Sequence, residues 1–444
     1  MKKTVAVIGL GYLGATTAVA LSLVGHRVIG IDPDEKKVAS LRAGRVPFYE
    51  PGLDEALGEA LATKELEFVT AHDESSHEVD VFLLCVGTPQ SRTGLGADLQ
   101  YLEASIDGLA PYLRAEAVVV GKSTVPVGTA AYLKQRLSSL VDFAPNFAWN
   151  PEFLREGTAL KDTLTPDRLV IGTSDSYSEQ VLRELYQPLT ENGVPLVSVD
   201  IPTSELVKVA ANSFLATKIS FINAMAEIAE NVGADAVALA EAIGYDERIG
   251  NKFLRTGIGF GGGCLPKDIR AFQARANELG LTESVSFLAQ VEDINLRRRT
   301  RVVDIAVEEL GDLAGRRVTV LGAAFKPETD DIRDSPAMAV AELLWAAGAE
   351  ITMHDPKAGD NVRRMYPQLA VEDRIADAVA GADLVVVATE WRDYGLADSA
   401  ELGKLVANKL VIDGRNTLPY RQWQQNGWKV IALGRNLDSA LVGV

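Results

Sequence analysis

A Gly-x-Gly-x-x-Gly turn near the start of the chain, formed by Gly9, Gly11 and Gly14, constrains the fold more than any other feature. It lies between an apolar run typical of a buried strand, Thr4–Ile8, and a helix-compatible run that begins at Ala15. Glycines at these offsets permit a tight turn, a close approach of backbone to a ligand and close packing of helix on strand. The sequence therefore predicts a strand–turn–helix unit of a doubly wound α/β fold.

An acidic residue ends the second predicted strand. Asp32 follows the apolar run Arg27–Ile31, at the spacing expected of a carboxylate that accepts hydrogen bonds from the hydroxyls of a ribose. The helix that follows the glycine turn would offer its unpaired N–H groups to a pyrophosphate. Because a carboxylate here repels a 2′-phosphate, we predict an NAD site, with NADP left as the alternative by the nearby Lys36 and Lys37.

Strand-like runs alternate with helix-length segments at both ends of the chain, which predicts two doubly wound sheets. Both ends carry an Asp-Pro step after their second strand, at Asp32 and at Asp355. The second sheet lacks the glycine fingerprint after Gly322, so we expect it to bind a different ligand. The predicted strands are residues 4–8, 27–31, 81–86, 117–120, 317–321, 350–354, 384–388 and 410–412.

A helix-start signal at residues 202–204 opens a stretch that reaches Val232 without a further proline or glycine. We therefore expect an α/β fold of two Rossmann-like doubly wound domains joined by a long central helix. The predicted domains are residues 1–200 for the dinucleotide, residues 201–300 for the central helix and a cysteine loop, and residues 301–444 for the second ligand.

Length and charge limit the classes of partner. The 444 residues are typical of a folded protein of several domains, and the net charge of -17 argues against nucleic acid and anionic membranes as partners. No segment approaches the roughly 18 unbroken apolar residues of a membrane span. The apolar start resembles a secretory signal, but its regularly spaced glycines explain it better. With only Cys85 and Cys264, no disulfide framework is indicated, and we expect a cytoplasmic protein.

The segment from Gly257 to Asp268 is the most unusual in the chain, because five glycines precede one cysteine, Cys264. Such a loop gives a ligand access to backbone and leaves the thiol uncrowded. Lys267 and nearby backbone dipoles would favour the thiolate, and Asp268 could orient a water. A nucleophilic and a structural Cys264 remain equally open on the residues alone. Cys85, in an apolar run, is predicted to be a core residue.

Further polar groups gather in the middle of the chain. Lys208 and Asn212 share one face of the central helix, where they would either be solvated or stabilise an oxyanion. Residues 123–129 and 150–157 are polar loops that follow apolar runs, the position where ligand sites of α/β folds gather. The histidines show neither metal-ligand nor triad spacing, so we predict no metal site.

Ordered motifs extend the pattern through all three predicted regions. They are residues 9–14, 85–89, 123–129, 150–157, 208–212, 259–268 and 325–333. Together they resemble those of the UDP-glucose/GDP-mannose dehydrogenase family. The resemblance implies an oxidoreductase acting on CH–OH, with an N-terminal NAD domain, a central helix that carries a dimer interface and a C-terminal domain that binds a nucleotide sugar. A homodimer or a higher homo-oligomer is the implied assembly.

For the reaction, the resemblance implies a four-electron oxidation of UDP-glucose to UDP-glucuronate. One hydride passes from the sugar C6 to NAD, Cys264 adds to the aldehyde, a second hydride passes from the thiohemiacetal to a second NAD, and water releases the acid. A thiolate suits this sequence because it is both a good nucleophile and a competent leaving group. The implied catalytic residues are Cys264, Lys208, Asn212, Asp268, Glu152 and Thr124.

Ligand contacts also follow from the resemblance. The implied NAD-binding residues are Gly9, Gly11, Leu13, Gly14, Asp32, Lys37, Thr88, Thr124, Glu156, Lys267 and Arg333. The implied substrate-binding residues are Phe153, Leu154, Arg155, Glu156, Lys208, Asn212, Arg248, Phe253, Leu254, Arg255, Thr256, Gly257, Gly261 and Lys326, with Arg248 arriving from the partner subunit.

Three alternatives stay open. GDP-mannose, or another nucleotide sugar, is the alternative substrate, because base selectivity depends on a pocket that a sequence does not assemble. A two-electron dehydrogenase would use Lys208 and Asn212 and leave Cys264 as packing, and a sensor on the same fold would bind both ligands without turnover. Gly263 and Ala224 depart from the commoner family pattern of serine and glutamate, but neither change removes an implied catalytic group.

Overall fold

A computed structural model of the protein describes residues 2–91 and 94–437. The chain divides into two compact units, one of Met1–Ala211 with Arg270–Leu281 and one of Asn212–Ile269 with Thr282–Val444. Each unit contains one sheet. The predicted division into three domains stays a prediction, and its last residues, 438–444, lie outside the described part of the chain.

The sheet of the first unit is parallel except for one pair of strands. Its strands are β1 (Thr4–Ile8), β2 (Arg27–Ile31), β3 (Leu66–Val69), β4 (Val81–Leu84), β5 (Val118–Gly121), β6 (Asn146–Trp149), β7 (Leu169–Thr173) and β8 (Leu196–Val199). They lie in the order β3-β2-β1-β4-β5-β6-β7-β8, with β6 and β7 antiparallel. The strand order reverses between β1 and β4, and doubly wound sheets bind their ligands at such a switch point.

The second unit contains a parallel sheet with the corresponding order. Its strands are β9 (Arg317–Leu321), β10 (Glu350–His354), β11 (Ala370–Val371), β12 (Leu384–Val387), β13 (Leu410–Asp413) and β14 (Lys429–Ala432). They lie in the order β11-β10-β9-β12-β13-β14. The two predicted doubly wound sheets are therefore confirmed.

Helices connect the strands in both units. They are α1 (Tyr12–Leu23), α2 (Glu35–Arg42), α3 (Leu53–Ala62), α4 (Gln100–Leu109), α5 (Thr129–Ser138), α6 (Ala159–Leu164), α7 (Ser176–Leu185), α8 (Gln187–Thr190), α9 (Ile201–Val232), α10 (Ala236–Gly244), α11 (Leu265–Glu278), α12 (Phe287–Leu310), α13 (Pro336–Ala346), α14 (Gly359–Met365), α15 (Ile375–Ala378), α16 (Arg392–Leu396), α17 (Ser399–Leu402) and α18 (Tyr420–Gln425). Short 3₁₀ turns cover Glu74–Glu78, Ala110–Tyr112 and Thr282–Val285.

Both faces of β1 are buried, which explains why its sequence is apolar from Val5 to Ile8 instead of alternating. Val5 and Val7 pack into the hydrophobic cluster on one face of the sheet. Ala6 and Ile8 pack into the cluster on the other face. A parallel sheet covered on both sides requires this composition.

The predicted bounds of β1, β2, β9 and β10 are confirmed, whereas β4 ends at Leu84 and not at Val86. The chain leaves the ladder there because it passes the glycine turn, where a Cβ on Gly9 would lie 2.8 Å from Cα of Val86. Cys85, just beyond the strand, is buried as predicted, and burial raises the pKa of its thiol to about 12.

The long central helix is confirmed as α9. The carboxylate of Asp200 accepts a hydrogen bond of 2.7 Å from the N–H of Thr203 near the start of α9, and Gly233, with φ of 73°, follows its last residue. Within the described ranges, no helix has the length and apolar character needed to cross a membrane.

Candidate functional site

The glycine turn of the first unit forms a cradle for an anion. Gly9 has φ of 89°, and a Cβ on Gly14 would lie 1.8 Å from the carbonyl oxygen of Gly9, so both positions require glycine. A Cβ on Gly11 would meet nothing within 4 Å. Gly11 is the N-cap of α1, and no described side chain caps this helix. The first N–H groups of α1 can therefore bind a pyrophosphate.

Asp32 lies beside this cradle and is almost fully buried. One carboxylate oxygen accepts hydrogen bonds from the N–H of Leu10, at 2.8 Å, and from the ammonium of Lys37, at 2.6 Å. The other accepts from the N–H of Asp34 at 3.0 Å. The carboxylate is thus oriented by backbone, and its charge is shared with Lys37.

Two loops follow β4 and β5 at the switch point. The hydroxyl of Thr88 donates to the carbonyl of Thr124 at 2.8 Å, which joins the two predicted cofactor-binding threonines. Glu205 of α9 accepts hydrogen bonds from the N–H groups of Gly128, at 2.9 Å, and Ala130, at 2.7 Å. Burial raises the pKa of Glu205, which the sequence analysis did not single out. Its partners lie 75 and 77 residues away along the chain, and no local pattern indicates them.

The loop of residues 150–157 provides an ion pair. Lys208 of α9 lies 3.0 Å from a carboxylate oxygen of Glu152, and the two side chains are 7% and 11% exposed. The ammonium also lies 5.4 Å from the centre of the Phe153 ring. The alternative in which Lys208 is solvated is therefore wrong, because its ammonium is buried and paired with Glu152. The N–H of Leu154 binds Glu152, whereas Arg155 turns away to pair with Asp162.

In the second unit, Cys264 immediately precedes α11, and its thiol side chain is exposed. Its carbonyl accepts the first helical hydrogen bond, from the N–H of Asp268 at 2.9 Å. The thiol therefore lies at a helix N-terminus, where a negative charge is stabilised. The structure thus leaves this cysteine accessible, in contrast to the buried Cys85.

Asp268, on the first turn of α11, is only 2% exposed. One of its oxygens accepts a hydrogen bond of 2.7 Å from the side-chain amide of Asn212. The other lies 2.8 Å from the ammonium of Lys267. Asn212, Lys267 and Asp268 thus form one network, and two of its members, Lys267 and Asp268, follow closely after Cys264 in sequence.

The glycines before Cys264 were predicted to give a ligand access to backbone. In the structure they also allow close packing of the loop against other segments. A Cβ on Gly261 would lie 2.1 Å from the carbonyl oxygen of Asp334, and one on Gly263 would lie 2.7 Å from the guanidinium of Arg333. A Cβ on Gly257 would lie 2.5 Å from the carbonyl oxygen of Gly414. These glycines therefore let the loop pack against segments that follow β9 and β13. Gly263 in particular makes room for Arg333.

Arg415 is a candidate site residue that the sequence analysis did not single out. It follows β13, and its guanidinium donates to the carbonyls of Gly259, at 2.8 Å, and Ala388, at 2.9 Å. Burial lowers the pKa of Arg415. The only sequence signal is its place at the carboxyl end of a parallel strand.

The other predicted substrate residues are more scattered. Thr256 is buried near Asn223, whose amide oxygen accepts from the N–H of Gly257 at 3.0 Å. Lys326 lies over the Phe325 ring, at 5.6 Å from its centre. Arg248 does not join the network of Asp268. Its highly exposed side chain pairs with Asp246 at 2.6 Å. The remaining predicted positions are buried Leu254 and exposed Phe253 and Arg255.

The sequence also matches known proteins along its whole length. Residues 3–190, 202–297 and 319–420 match, respectively, the NAD binding domain, the central domain and the UDP binding domain of the UDP-glucose/GDP-mannose dehydrogenase family. The chain is 39% identical to the UDP-glucose 6-dehydrogenase YwqF of Bacillus subtilis, with 97% of each chain covered. It is also 39% identical to the UDP-glucose 6-dehydrogenase of Rhizobium meliloti, over 97% of this chain and 99% of that one.

The structure also superimposes on solved structures of nucleotide-sugar dehydrogenases. A UDP-glucose dehydrogenase from the archaeon Pyrobaculum islandicum superimposes with a TM-score of 0.89 at 37% identity, covering 97% of each chain. A UDP-D-ManNAc dehydrogenase from Pyrococcus horikoshii superimposes with a TM-score of 0.85 at 27% identity, covering 98% of this chain and 99% of that one. The glycine cradle and Asp32 fit the NAD that the N-terminal domain of this family binds. The chain belongs to the UDP-glucose/GDP-mannose dehydrogenase family.

Proposed function

We propose that the protein oxidises UDP-glucose to UDP-glucuronate through a covalent intermediate on Cys264. The observation that carries this proposal is the exposed thiol of Cys264 at the N-terminus of α11, followed one turn later by the buried network of Asp268. Identities of 39% to enzymes named UDP-glucose 6-dehydrogenase support the choice of substrate.

In the first oxidation, the C6 hydroxyl of the sugar loses its proton, C6 itself loses a hydride, and the alcohol becomes an aldehyde. NAD, when bound, supplies the acceptor for the hydride in each of the two oxidations. Lys208 is held by Glu152 in a buried position, where its positive charge would stabilise the oxyanion that develops at C6. Asn212, held by Asp268, would donate its amide to the same oxygen.

In the second oxidation, the thiolate of Cys264 adds to the aldehyde and forms a thiohemiacetal. Loss of a second hydride converts this adduct to a thioester, and water then cleaves the C–S bond and returns the thiol. Asp268, Glu152 and Thr124 are the proposed proton- and water-handling groups. One alcohol, two NAD and one water thus give one carboxylic acid, two NADH and two protons. Because the proposed nucleophile must stay a reduced thiol, the proposed compartment is a reducing one such as the cytoplasm.

The remaining predicted residues receive contact roles in this proposal. Glu156, Lys267 and Arg333 would contact NAD together with the glycine cradle, Asp32, Lys37, Thr88 and Leu13. The nucleotide sugar would lie against the loop of residues 150–157, the residues 253–261 and Lys326. Arg415 joins this second set because it binds the carbonyl of Gly259 within the cysteine loop.

We also propose that two copies of the chain associate through α9. Phe214, Phe221 and Ile228 recur every seven residues along this helix and are 66%, 49% and 56% exposed. Exposed apolar side chains at heptad spacing favour packing against a like helix. Arg248 would then reach the site of the other copy. Sedimentation should give at least a dimer, and Phe221→Glu should dissociate it; a monomeric parent protein at micromolar concentration would contradict the proposal.

Counting NADH per sugar tests the proposed reaction. Purified protein with limiting UDP-glucose and excess NAD should form two NADH per sugar and a carboxylate product, with GDP-mannose as the parallel substrate. Cys264→Ala should form no acid, whereas Cys85→Ala, which changes the other cysteine, should retain the stoichiometry. One NADH per sugar with a released carbonyl would overturn the covalent route. Binding of both ligands without any NADH would make the protein a sensor.

A further inference from the structure

A buried carboxylate, Glu50, connects the glycine cradle to the loop of residues 150–157. Glu50 is 5% exposed and follows no recognised motif. It accepts hydrogen bonds from the hydroxyl of Tyr12, from the N–H of Gly157 at 2.6 Å and from the N–H of Ala159 at 2.7 Å. Among the described residues, no basic side chain forms an ion pair with it. Its two carboxylate oxygens are therefore held by one hydroxyl and two backbone N–H groups.

Tyr12 contacts both elements that are connected here: its backbone lies in the glycine cradle, and its hydroxyl reaches Glu50 and Gly157. It is the first residue of α1, so its backbone belongs to the N-terminus proposed to bind the pyrophosphate. Its ring packs on Phe48 with 4.7 Å between the ring centres, and its hydroxyl accepts from the N–H of Gly157 at 2.8 Å. Burial and the neighbouring Glu50 raise the pKa of Tyr12, so the phenol keeps the proton that it donates.

The other end of the connection is the loop that carries Glu152, Phe153 and Glu156. Gly157 ends this loop with φ of 81°, and its N–H lies within hydrogen-bonding distance of both Tyr12 and Glu50. Ala159 begins α6, which follows at once. One carboxylate and one phenol thus join the loop to the cradle.

We infer that Tyr12 and Glu50 are positioning residues that couple the binding of the dinucleotide to the binding of the nucleotide sugar. A pyrophosphate on the N-terminus of α1 restrains the backbone of Tyr12, and the phenol passes this restraint through Glu50 to Gly157. The ordering of the sugar loop is then partly complete before the sugar arrives, which strengthens its binding. This inference rests on the proposed function of the same site.

Calorimetric titration with UDP-glucose, without and with saturating NADH, measures this coupling in the absence of turnover. For the parent protein we expect NADH to lower the Kd of UDP-glucose by about fivefold or more, the range typical of coupled sites. Tyr12→Phe removes only the hydroxyl and should reduce the ratio of the two Kd values to below about twofold. Glu50→Gln, which keeps the shape and removes the charge, should act in the same direction.

Tyr132→Phe is the matched control, because Tyr132 donates to Glu103 at 2.8 Å on the exposed surface of the same unit. It should keep the ratio of the parent protein. A parent ratio of one, or an unchanged ratio in Tyr12→Phe, would overturn the coupling while the proposed reaction stands. If Glu50→Gln does not fold, Tyr12→Phe decides alone. A parent protein that binds NADH but no UDP-glucose would overturn the proposed substrate, and the coupling with it.

Discussion

The two doubly wound sheets have corresponding strand orders and the same Asp-Pro step, yet their first turns are built for different purposes. In the first sheet, α1 begins four residues after β1, and no described side chain caps it. In the second, α13 begins at Pro336, well beyond the end of β9 at Leu321, and the hydroxyl of Ser335 caps it. Only the first helix therefore presents open N–H groups directly after its first strand.

The aspartates of the two Asp-Pro steps, Asp32 and Asp355, also differ in what they bind. Asp32 shares one oxygen between the N–H of Leu10 and the flexible ammonium of Lys37. The equivalent oxygen of Asp355 accepts from the N–H groups of Ala323 and Ala324, at 2.7 and 3.0 Å, and from the indole of Trp391, at 3.1 Å. Asp355 thus holds its own loop in place, whereas Asp32 can exchange a mobile partner for a ribose.

Asp355→Ala should have the largest effect on this comparison. It leaves the N–H groups of Ala323, Ala324, Lys357 and Ala358 and the indole of Trp391 without their buried acceptor. We expect the free energy of unfolding of the second unit to fall by about 3 kcal/mol or more, measured by denaturant unfolding followed by tryptophan fluorescence. A loss below about 1 kcal/mol would mean that Asp355 is not the anchor of its loop.

Asp32→Ala should affect the ligand more than the fold. Loss of a charged acceptor for the ribose should weaken NADH binding by about 10- to 100-fold and narrow the preference for NADH over NADPH. Fluorescence titration with both dinucleotides measures this change. If Asp32→Ala instead lowered the free energy of unfolding of the first unit as much as Asp355→Ala lowers that of the second, the two aspartates would not differ in role.

The smallest effect concerns a feature that the two sheets share. Burial lowers the pKa of His26, which precedes β2, and of His354, at the end of β10, below the ordinary value of 6.5. The unfolded chain then binds more protons than the folded one as the pH falls below 6.5, so stability is lost in that window. Thermal unfolding from pH 8 to pH 5 should show this loss, and His354→Gln should flatten it. An unchanged pH dependence in His354→Gln would contradict this cause.

The local sequence pattern was sufficient to predict a structural feature wherever that feature depends on residues close together in the chain. The glycines at 9, 11 and 14, the Asp after β2 and the end of α9 at Val232 were all predicted in this way, because turns, caps and helix periodicity involve residues only a few positions apart. The end of β4 was predicted two residues too late, since its cause is the approach of a glycine about 75 positions earlier.

The sequence by itself determined that the glycine turn precedes a helix and that Asp32 ends the second strand, because apolar runs and glycine offsets have few alternative folds. It also located Cys264 in its loop. Only the tertiary structure decided that Lys208 is buried against Glu152, that Glu50 binds the N–H of Gly157, and that Arg415 binds the carbonyl of Gly259. These contacts join residues 56 to 156 positions apart, and buried polar groups find such partners only when the strands have been placed side by side.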